Sequence, residues 1–153
     1  MIKTLKDLEL NIIKQLKNNN FDDIVNIVEQ YNGLDWKKYI DNKKSNGKNY
    51  NKKKIDIVDN IFFDMYIVSW NNNKKSKIHN HANNGCIMKV LNGNLMEHIY
   101  DIKLNLINSR IINKNDVSFI NDNIGYHSIR NIEDVSHTLH IYSPPNHITK
   151  YFN

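Results

Sequence analysis

Two histidines in the middle of the chain are spaced for metal chemistry. His79 and His81 stand two positions apart in the run KIHNH, and side chains at that spacing on a strand point to the same face. Two imidazoles on one face can chelate one metal ion. A third histidine, His127, lies in the run IGYHSIRN on a separate predicted strand, which a barrel can bring beside the first pair. The sequence therefore predicts a metal site with three neutral nitrogen ligands and open positions opposite them.

The single cysteine of the chain, Cys86, lies five residues beyond His81. One cysteine cannot form an internal disulfide, which is typical of a protein in a reducing compartment and leaves the thiol free. Two interpretations stay open from the residues alone. The thiol can lie beside the metal without binding it, or it can complete a closed zinc site of three histidines and one cysteine. The second interpretation makes the protein a non-catalytic binding or structural module.

Charge and composition argue against several other classes of protein. A formal net charge of +5 and a pI near 9.2 can indicate a nucleic-acid partner, but the lysines are scattered among asparagines and form no helical stripe. No segment has the length of a membrane span, and Asp and Glu interrupt the N-terminal run where a signal peptide would be apolar. We therefore expect a cytoplasmic monomer that binds neither nucleic acid nor membrane.

Helical periodicity is confined to the N-terminal region, residues 1–42. Apolar residues recur at helical spacing from Thr4 to Lys17, and Thr4 is a suitable N-cap. A second pattern covers residues 21–31 and stops at Asn-Gly, where glycine can adopt the left-handed conformation that ends a helix. A short third helix is predicted from Asp35, and the polar residues 41–49 are predicted to form a linker.

After Tyr50 the pattern changes to short runs rich in β-branched and aromatic residues. The runs are IFFDMYIVSW, KIHNH, CIMKVL, NLMEHIY, KLNLINSRII, DVSFI, GYHSIRNI and SHTLHIY. Because no helical pattern interrupts them, we expect a mainly β fold: an antiparallel jelly-roll barrel over residues 50–145, with the helices packed outside it, in a single domain of residues 1–153. The clearest hairpin joins CIMKVL to NLMEHIY through Asn92-Gly93, the preferred pair for a two-residue turn.

The spacing around the histidines resembles the two motifs of the cupin superfamily. In the first motif His-x-His is followed by a glutamate and then a glycine; here Cys86 takes the glutamate position and Gly93 the glycine position. The second motif carries a histidine followed four places later by asparagine, as in His127 and Asn131. Cysteine in place of that glutamate is typical of thiol dioxygenases. The stretches SKIHNHANNGCIMKVLNGNL, INDNIGYHSIRN and HTLHIYSPP closely resemble the cysteine dioxygenase family.

The resemblance implies a fold, a reaction and a cofactor. The fold would be a cupin-type jelly roll, and the reaction would add both atoms of O2 to the sulfur of L-cysteine, giving cysteine sulfinic acid. His79, His81 and His127 would hold Fe(II) in a site similar to the facial triad of non-haem iron oxygenases, with histidine where the carboxylate would be. The partners would be free L-cysteine and O2.

A row of alternating side chains late in the chain carries further family residues. Thr138, His140 and Tyr142 share one face of a strand that ends at Ser-Pro-Pro. By resemblance, Thr138 orients His140, His140 holds the Tyr142 phenol, and a thioether joins that tyrosine to Cys86. Trp70 matches a family tryptophan, which by resemblance places it at the substrate, and it is equally well explained as a core residue.

The substrate carboxylate needs a cation, and at this point the chain departs from the family. The family carries an arginine in a Tyr-x-Arg-Asn motif; the matching stretch begins at Tyr50 and has Lys52 at the arginine position, with Lys53 or Lys54 as alternatives if the register slips. Lysine cannot form the two parallel bonds of a guanidinium, so oxidation of another small thiol, 3-mercaptopropionate or cysteamine, stays open. A cupin that binds a small ligand without catalysis is a further alternative.

Two more expectations concern the rest of the chain. The sequence ends eight residues after Pro145, earlier than in family members, which predicts a more open pocket. His98, His137 and His147 match no catalytic position of the family, and we expect them at the surface.

Overall fold

Helices occupy the N-terminal part of the polypeptide and strands the remainder. The structure, a computed structural model, describes residues 1–40 and 50–152, so the predicted linker at 41–49 lies outside the described residues. The helices are α1 (Leu5–Leu16) and α2 (Val25–Glu29), with 3₁₀ turns at Phe21–Ile24 and Asp35–Tyr39. The strands are β1 (Tyr50–Ile55), β2 (Asp64–Trp70), β3 (Ile78–His79), β4 (Gly85–Asn92), β5 (Leu95–Tyr100), β6 (Leu106–Ile112), β7 (Val117–Ile120), β8 (Tyr126–Asn131), β9 (Ser136–Ser143) and β10 (Tyr151–Phe152). Within the described ranges, no helix has the length and apolar character that crossing a membrane requires.

Helix α1 forms where its sequence pattern predicts it. The Thr4 hydroxyl accepts a hydrogen bond from the backbone N–H of Asp7 at 3.1 Å, which satisfies one of the free donors at the start of the helix. Leu5, Leu8 and Ile12 are fully buried along one side. This apolar stripe joins the same core as the outer face of the first sheet.

The second predicted helix is shorter than expected. In place of one helix over residues 21–31, the chain forms a 3₁₀ turn and then the five-residue α2, which ends at Glu29. The backbone N–H of Ile2 donates to the carbonyl of Gln30, and Ile2 forms a parallel bridge with Tyr31. The backbone after α2 therefore pairs with the N-terminus of the chain. Periodicity alone does not reveal a partner so distant in sequence.

The strands pair antiparallel in two five-stranded sheets. The first sheet has the order β1-β2-β9-β4-β7 and the second the order β10-β3-β8-β5-β6. On the outer face of the first sheet, Ile87, Leu139 and Ile141 share one apolar core with the helices. A second core, which includes Trp70 and Ile129, lies between the inner faces of the two sheets. The sequence predicts eight of the strands and misses β1 and β10.

The predicted hairpin at Asn92-Gly93 is wrong. β4 pairs with β7 and β9 in the first sheet, whereas β5 pairs with β6 and β8 in the second. Gly93 has a φ of 83°, which L side chains rarely adopt, and a side chain at this position would clash with Ser136. The turn is a corner at which the chain crosses from one sheet to the other. Local turn preference identifies the corner but not the strands that pair.

A buried lysine joins the first sheet to the helices. Lys89 lies on the outer face of β4, and its ammonium donates to three backbone carbonyls at the end of α2. The acceptors are Val28 at 3.2 Å, Glu29 at 2.9 Å and Tyr31 at 2.6 Å. Carbonyls at the C-terminus of a helix lack intrahelical donors, and the helix dipole favours a cation there. The Val28 carbonyl also accepts from the backbone N–H of Tyr31 at 3.2 Å, so Lys89 matters most for the carbonyls of Glu29 and Tyr31.

Replacing Lys89 by methionine should destabilise the protein. The change keeps the apolar stem but removes the donor, and leaving a buried polar group unsatisfied costs about 1–3 kcal/mol. We expect the free energy of unfolding, measured by urea denaturation, to fall by about that amount. Lys6→Met, at an exposed position of α1, is the matched control and should change it by less than about 0.5 kcal/mol. Equal losses in the two variants would contradict this role for Lys89.

Candidate metal centre

The three predicted histidines converge. His79 of β3 stands opposite His127 of β8 in the strand register, and His81 follows just beyond β3. Their ligand atoms all lie within 4.8 Å of one another. The predicted strand around the pair is shorter than expected, because β3 comprises only Ile78–His79. His81 therefore reaches the common point from the following loop and not from the strand itself.

A hydrogen bond at Nδ1 fixes the direction in which each imidazole ring faces. Each Nδ1 donates to an oxygen that carries no proton: His79 to the Lys77 carbonyl at 2.7 Å, His81 to the Asp122 carboxylate at 3.2 Å, and His127 to the Glu97 carboxylate at 2.8 Å. Each Nε2 therefore keeps its lone pair. The Nε2 atoms of His79 and His127 are 3.0 Å apart, and Nε2 of His81 is buried with no hydrogen-bond partner among the described residues. Lone pairs that face one another without a proton between them fit a cation.

Burial keeps two of these imidazoles neutral. Removal from water, reinforced by the neighbouring His127, lowers the pKa of His79 to about 3. The same two causes hold the pKa of His81 well below its ordinary value. Neutral imidazole is the form that binds a metal. His79 and His81 can thus bind at neutral pH without first releasing a proton.

A buried glutamate that the sequence patterns do not single out supports His127. The carboxylate of Glu97 is fully buried and accepts hydrogen bonds from His127 at 2.8 Å and from the Arg110 guanidinium at 2.8 Å, with the Ser118 hydroxyl 3.4 Å away. Burial alone would raise the pKa of Glu97, but the hydrogen bond from His127 and the charge of Arg110 outweigh burial and lower it. An ionised acceptor of this kind fixes the orientation of the ring and makes Nε2 a better ligand.

Thr138, His140 and Tyr142 form a hydrogen-bonded row on the inner face of β9. The indole N–H of Trp70 donates to the Thr138 hydroxyl at 2.9 Å, and that hydroxyl lies 2.8 Å from Nε2 of His140. Because indole is only a donor, the hydroxyl is left to donate onward to Nε2, which places the ring proton on Nδ1. Nδ1 then donates to the Tyr142 phenol at 3.1 Å. The row therefore begins at Trp70 and fixes the position of the phenol.

Cys86 lies beside this row and outside the histidine group. It is buried on β4 directly opposite Tyr142 of β9, and its Sγ is 3.9 Å from Nδ1 of His140. Burial raises the pKa of Cys86 to about 12, so without a metal ion the thiol keeps its proton at neutral pH. Among the described residues, the group of converging ligand atoms contains the three histidines and not Cys86.

The Lys52 ammonium reaches the row from β1. Its Nζ donates to the Tyr142 hydroxyl at 3.3 Å and lies over the rings of Tyr66 and Tyr142, at 4.8 and 4.7 Å from their centroids. Partial removal from water lowers the pKa of Lys52. Lys54 instead pairs with Asp64 at 3.3 Å. The lysine at the position of the family arginine is therefore the one that the structure brings to the row.

A small cavity lies between the histidines and the row. Its walls include Tyr50, Trp70, His79, His140, Thr149 and Tyr151. The last two belong to the C-terminal segment, so the end of the chain supplies part of the cover. The expectation that the pocket is more open than in family members stays a prediction. Sequence patterns do not reveal this cover, because β10 has only two residues.

The remaining histidines are less exposed than expected. His137 is only 8 % exposed and packs against Trp36, with the ring centroids 5.2 Å apart, because its position on β9 faces the helices. The prediction of a surface residue is therefore wrong for His137. His98 is half-buried and bonds through Nδ1 with Ser109 at 2.7 Å. His147 is also half-buried, and the structure finds no partner for its Nε2 within the ranges it describes.

Comparison with known proteins matches nearly the whole chain to one family. The family model described as Cysteine dioxygenase type I covers residues 2–153. Cysteine dioxygenase type 1 of Homo sapiens is 34% identical over 159 aligned residues, which cover 94% of this chain and 76% of that protein. The protein of the same name from Danio rerio is 32% identical, with the same coverage of both chains. The similarity thus extends from the N-terminal helices through every part of the site.

Solved structures of low identity support the fold. A protein with a double-stranded β-helix domain from Klebsiella pneumoniae has a TM-score of 0.60 and 13% identity, over 75% of this chain and 86% of that one. The double-stranded β-helix is the jelly roll of the cupins. The predicted fold class, a mainly β, cupin-type jelly roll with N-terminal helices, is therefore confirmed.

Proposed function

The chain belongs to the cysteine dioxygenase type I family, and from that premise we propose how its own residues serve the reaction. It is a thiol dioxygenase. A cysteine dioxygenase adds both atoms of O2 to the sulfur of L-cysteine and gives cysteine sulfinic acid. The family match favours neither the oxidation of 3-mercaptopropionate or cysteamine nor a non-catalytic zinc module.

His79, His81 and His127 would hold Fe(II). The observation that carries this proposal is the direction of the rings: each Nδ1 is bonded outward to an oxygen, and the Nε2 atoms of His79 and His127 face each other at 3.0 Å. When bound, the ion would supply open positions for the thiolate and O2 and would lower the pKa of the substrate thiol. Three neutral ligands suit this substrate, because an anionic protein ligand would compete with the thiolate for positive charge.

Lys52 would bind the substrate carboxylate. Its ammonium lines the cavity next to the Tyr142 hydroxyl, at 3.3 Å. A hydrogen bond between charged groups contributes about 1.5–3 kcal/mol, enough to orient a small amino acid. Tyr50 lines the same cavity and packs on Trp70 with ring centroids 4.8 Å apart, so these two rings would form the wall beside the substrate.

Tyr142 would donate a hydrogen bond to the carboxylate or to O2. Burial, followed by the nearby Cys86, holds the pKa of Tyr142 well above its ordinary value, so the phenol keeps its proton. Burial also holds the pKa of His140 well below its ordinary value, so the ring beside the phenol is neutral. His140 and Thr138 would act by positioning the phenol and not by exchanging protons with the substrate.

We also propose that a thioether joins Cys86 to Tyr142. The two residues are directly opposite on neighbouring antiparallel strands, where side chains are about 4.5–5.5 Å apart at Cβ. Forming the carbon–sulfur bond removes one hydrogen from the thiol and one from the ring, and O2 is the oxidant that accepts these two electrons and protons. The bond would lock the phenol in the position that the hydrogen-bonded row already favours.

The protein would act as a cytoplasmic monomer on free L-cysteine and O2, without a nucleic-acid or membrane partner. The scattered surface lysines and the single reduced cysteine support this proposal. Sedimentation of the purified protein at several concentrations tests the monomer, because a dimer would show a sedimentation coefficient that rises with concentration.

The direct test of function is product analysis. The protein is loaded anaerobically with Fe(II), then given L-cysteine and O2, and the product is identified by mass. We expect cysteine with two added oxygen atoms, at a rate above that for cysteamine or 3-mercaptopropionate. Tightly bound zinc together with no iron-dependent turnover would contradict the proposal and favour a binding module.

Replacing Lys52 by methionine should weaken substrate binding more than it slows turnover. Loss of one charged hydrogen bond predicts a rise in KM for L-cysteine of about 10- to 100-fold with little change in kcat. Cysteamine has no carboxylate, so its kcat/KM should not fall. Lys53→Met, one residue along β1 at an exposed position, is the control and should leave both substrates unaffected. A similar loss for both thiols in Lys52→Met would mean that Lys52 does not bind the carboxylate.

A further inference from the structure

The C-terminal segment crosses the cavity as a strap, residues 146–152. Strand β10 pairs with β3, so that Tyr151 stands opposite His79. Next to this ladder, Asn80 and Lys150 exchange two hydrogen bonds, one from the Asn80 N–H at 3.1 Å and one from the Lys150 N–H at 2.8 Å. Phe152 stacks on Tyr126 with ring centroids 4.6 Å apart. The strap is therefore anchored on both sides of Tyr151.

Tyr151 turns inward from this strap. Its ring lies over His79, at 6.0 Å between centroids, and it lines the cavity that contains Lys52. Tyr50, which packs on Trp70, lines the same cavity. Tyr151 and Tyr50 thus lie at the cavity that holds the ammonium expected to bind the carboxylate.

The room left by this pair is small. Tyr50, Lys52 and Tyr151 line the same cavity, and Trp70 and Thr149 enclose it further. A substituent attached to the carboxylate of cysteine would extend past Lys52 and meet the two phenol rings. The sulfur end of the substrate, at the histidines, is not affected by such a substituent.

We propose that Tyr151 determines the substrate specificity of this protein by limiting it to thiols of about the size of free cysteine. The inference rests on the proposed function. Tyr151 acts as a wall against extended thiols such as cysteinyl peptides, and the pairing of β10 with β3 keeps this half-exposed residue in place. Specificity against a larger substrate arises in this case from a clash and not from a lost attraction.

The test compares L-cysteine with L-cysteinylglycine as substrates of the Fe(II)-loaded protein. Tyr151→Ala should raise the ratio of kcat/KM for the dipeptide to kcat/KM for cysteine by about tenfold or more. Tyr151→Phe keeps the ring that forms the wall, and it should leave the ratio near that of the wild type. Ile148→Ala, at an 89% exposed position of the strap, is the control and should leave the ratio unchanged. If Tyr151→Ala does not fold, Tyr151→Leu serves for the same comparison.

A second measurement separates this inference from the proposed function. Dissociation constants of the two thiols are measured anaerobically on the Fe(II)-loaded wild type and variants, without turnover. If the wild type binds thiols but oxidises neither, the proposed function fails, and the binding ratio still decides the role of Tyr151. An unchanged ratio in Tyr151→Ala, or an equal change in Ile148→Ala, would overturn the inference.

Discussion

Replacing His81 by alanine should lower the turnover of L-cysteine by at least about 1000-fold, equivalent to about 4 kcal/mol of activation free energy. Of the three converging imidazoles, His81 has the Nε2 atom that is buried and unpartnered among the described residues, which an ion would satisfy. Alanine offers no ligand, and a site with two remaining histidines binds the ion far more weakly. Iron content after anaerobic loading, measured by metal analysis, should fall together with turnover.

Two matched variants make the His81 result specific. His98→Ala removes a half-buried histidine from β5, outside the group of converging ligand atoms, and should leave iron content and turnover near those of the wild type. Cys86→Ala should slow turnover without loss of iron, because the thiol lies next to the phenol and outside that group. Equal loss of iron in Cys86→Ala and His81→Ala would contradict the proposed ligand set.

Replacing Glu97 by leucine should damage both stability and metal binding. The change leaves the Nδ1 proton of the buried His127 without its acceptor, which costs about 1–3 kcal/mol, whereas the Arg110 side chain is 45 % exposed and can be solvated by water. We expect a loss of that size in the free energy of unfolding of the metal-free protein. Loss of an acceptor behind a ligating histidine should also raise the dissociation constant for Fe(II) by about 10- to 100-fold.

A conservative change and a surface control separate the two effects of Glu97. Glu97→Gln keeps an oxygen for His127 but loses the charge, so it should recover much of the stability while the affinity for Fe(II) stays below that of the wild type. Glu133→Leu, at an exposed position, should change neither property. If Glu97→Leu and Glu133→Leu bind Fe(II) equally well, the carboxylate behind His127 does not support the site.

The alternation of side chains along strands allowed part of the site to be predicted from the sequence. On β9 it places Thr138, His140 and Tyr142 on one face and Leu139 and Ile141 on the other, and the structure has the first set in the hydrogen-bonded row and the second in the core with the helices. The same reasoning predicted a strand for His127, and the structure has it on β8. Period-two patterns are local, so they survive without knowledge of which strands are neighbours.

Residues that depend on pairing between distant strands could not be predicted in this way. Glu97 lies between Leu95 and Ile99 on the buried face of β5, and a carboxylate on an apolar face signals a partner, but its identity follows only from the approach of His127 and Arg110. Two further features are likewise properties of the assembled barrel. β4 and β5 belong to different sheets, and β10 covers part of the cavity. Turn chemistry and hydrophobic patterns do not contain this information.

The two-residue strand β3 depends on its two neighbouring strands for its stability. β3 carries His79 and is held between β8 on one side and β10 on the other. Local unfolding of β10 would leave β3 with β8 as its single neighbour, and unfolding at His79 would then require less free energy. The β3–β10 ladder therefore helps to hold His79 in place as well as covering the cavity.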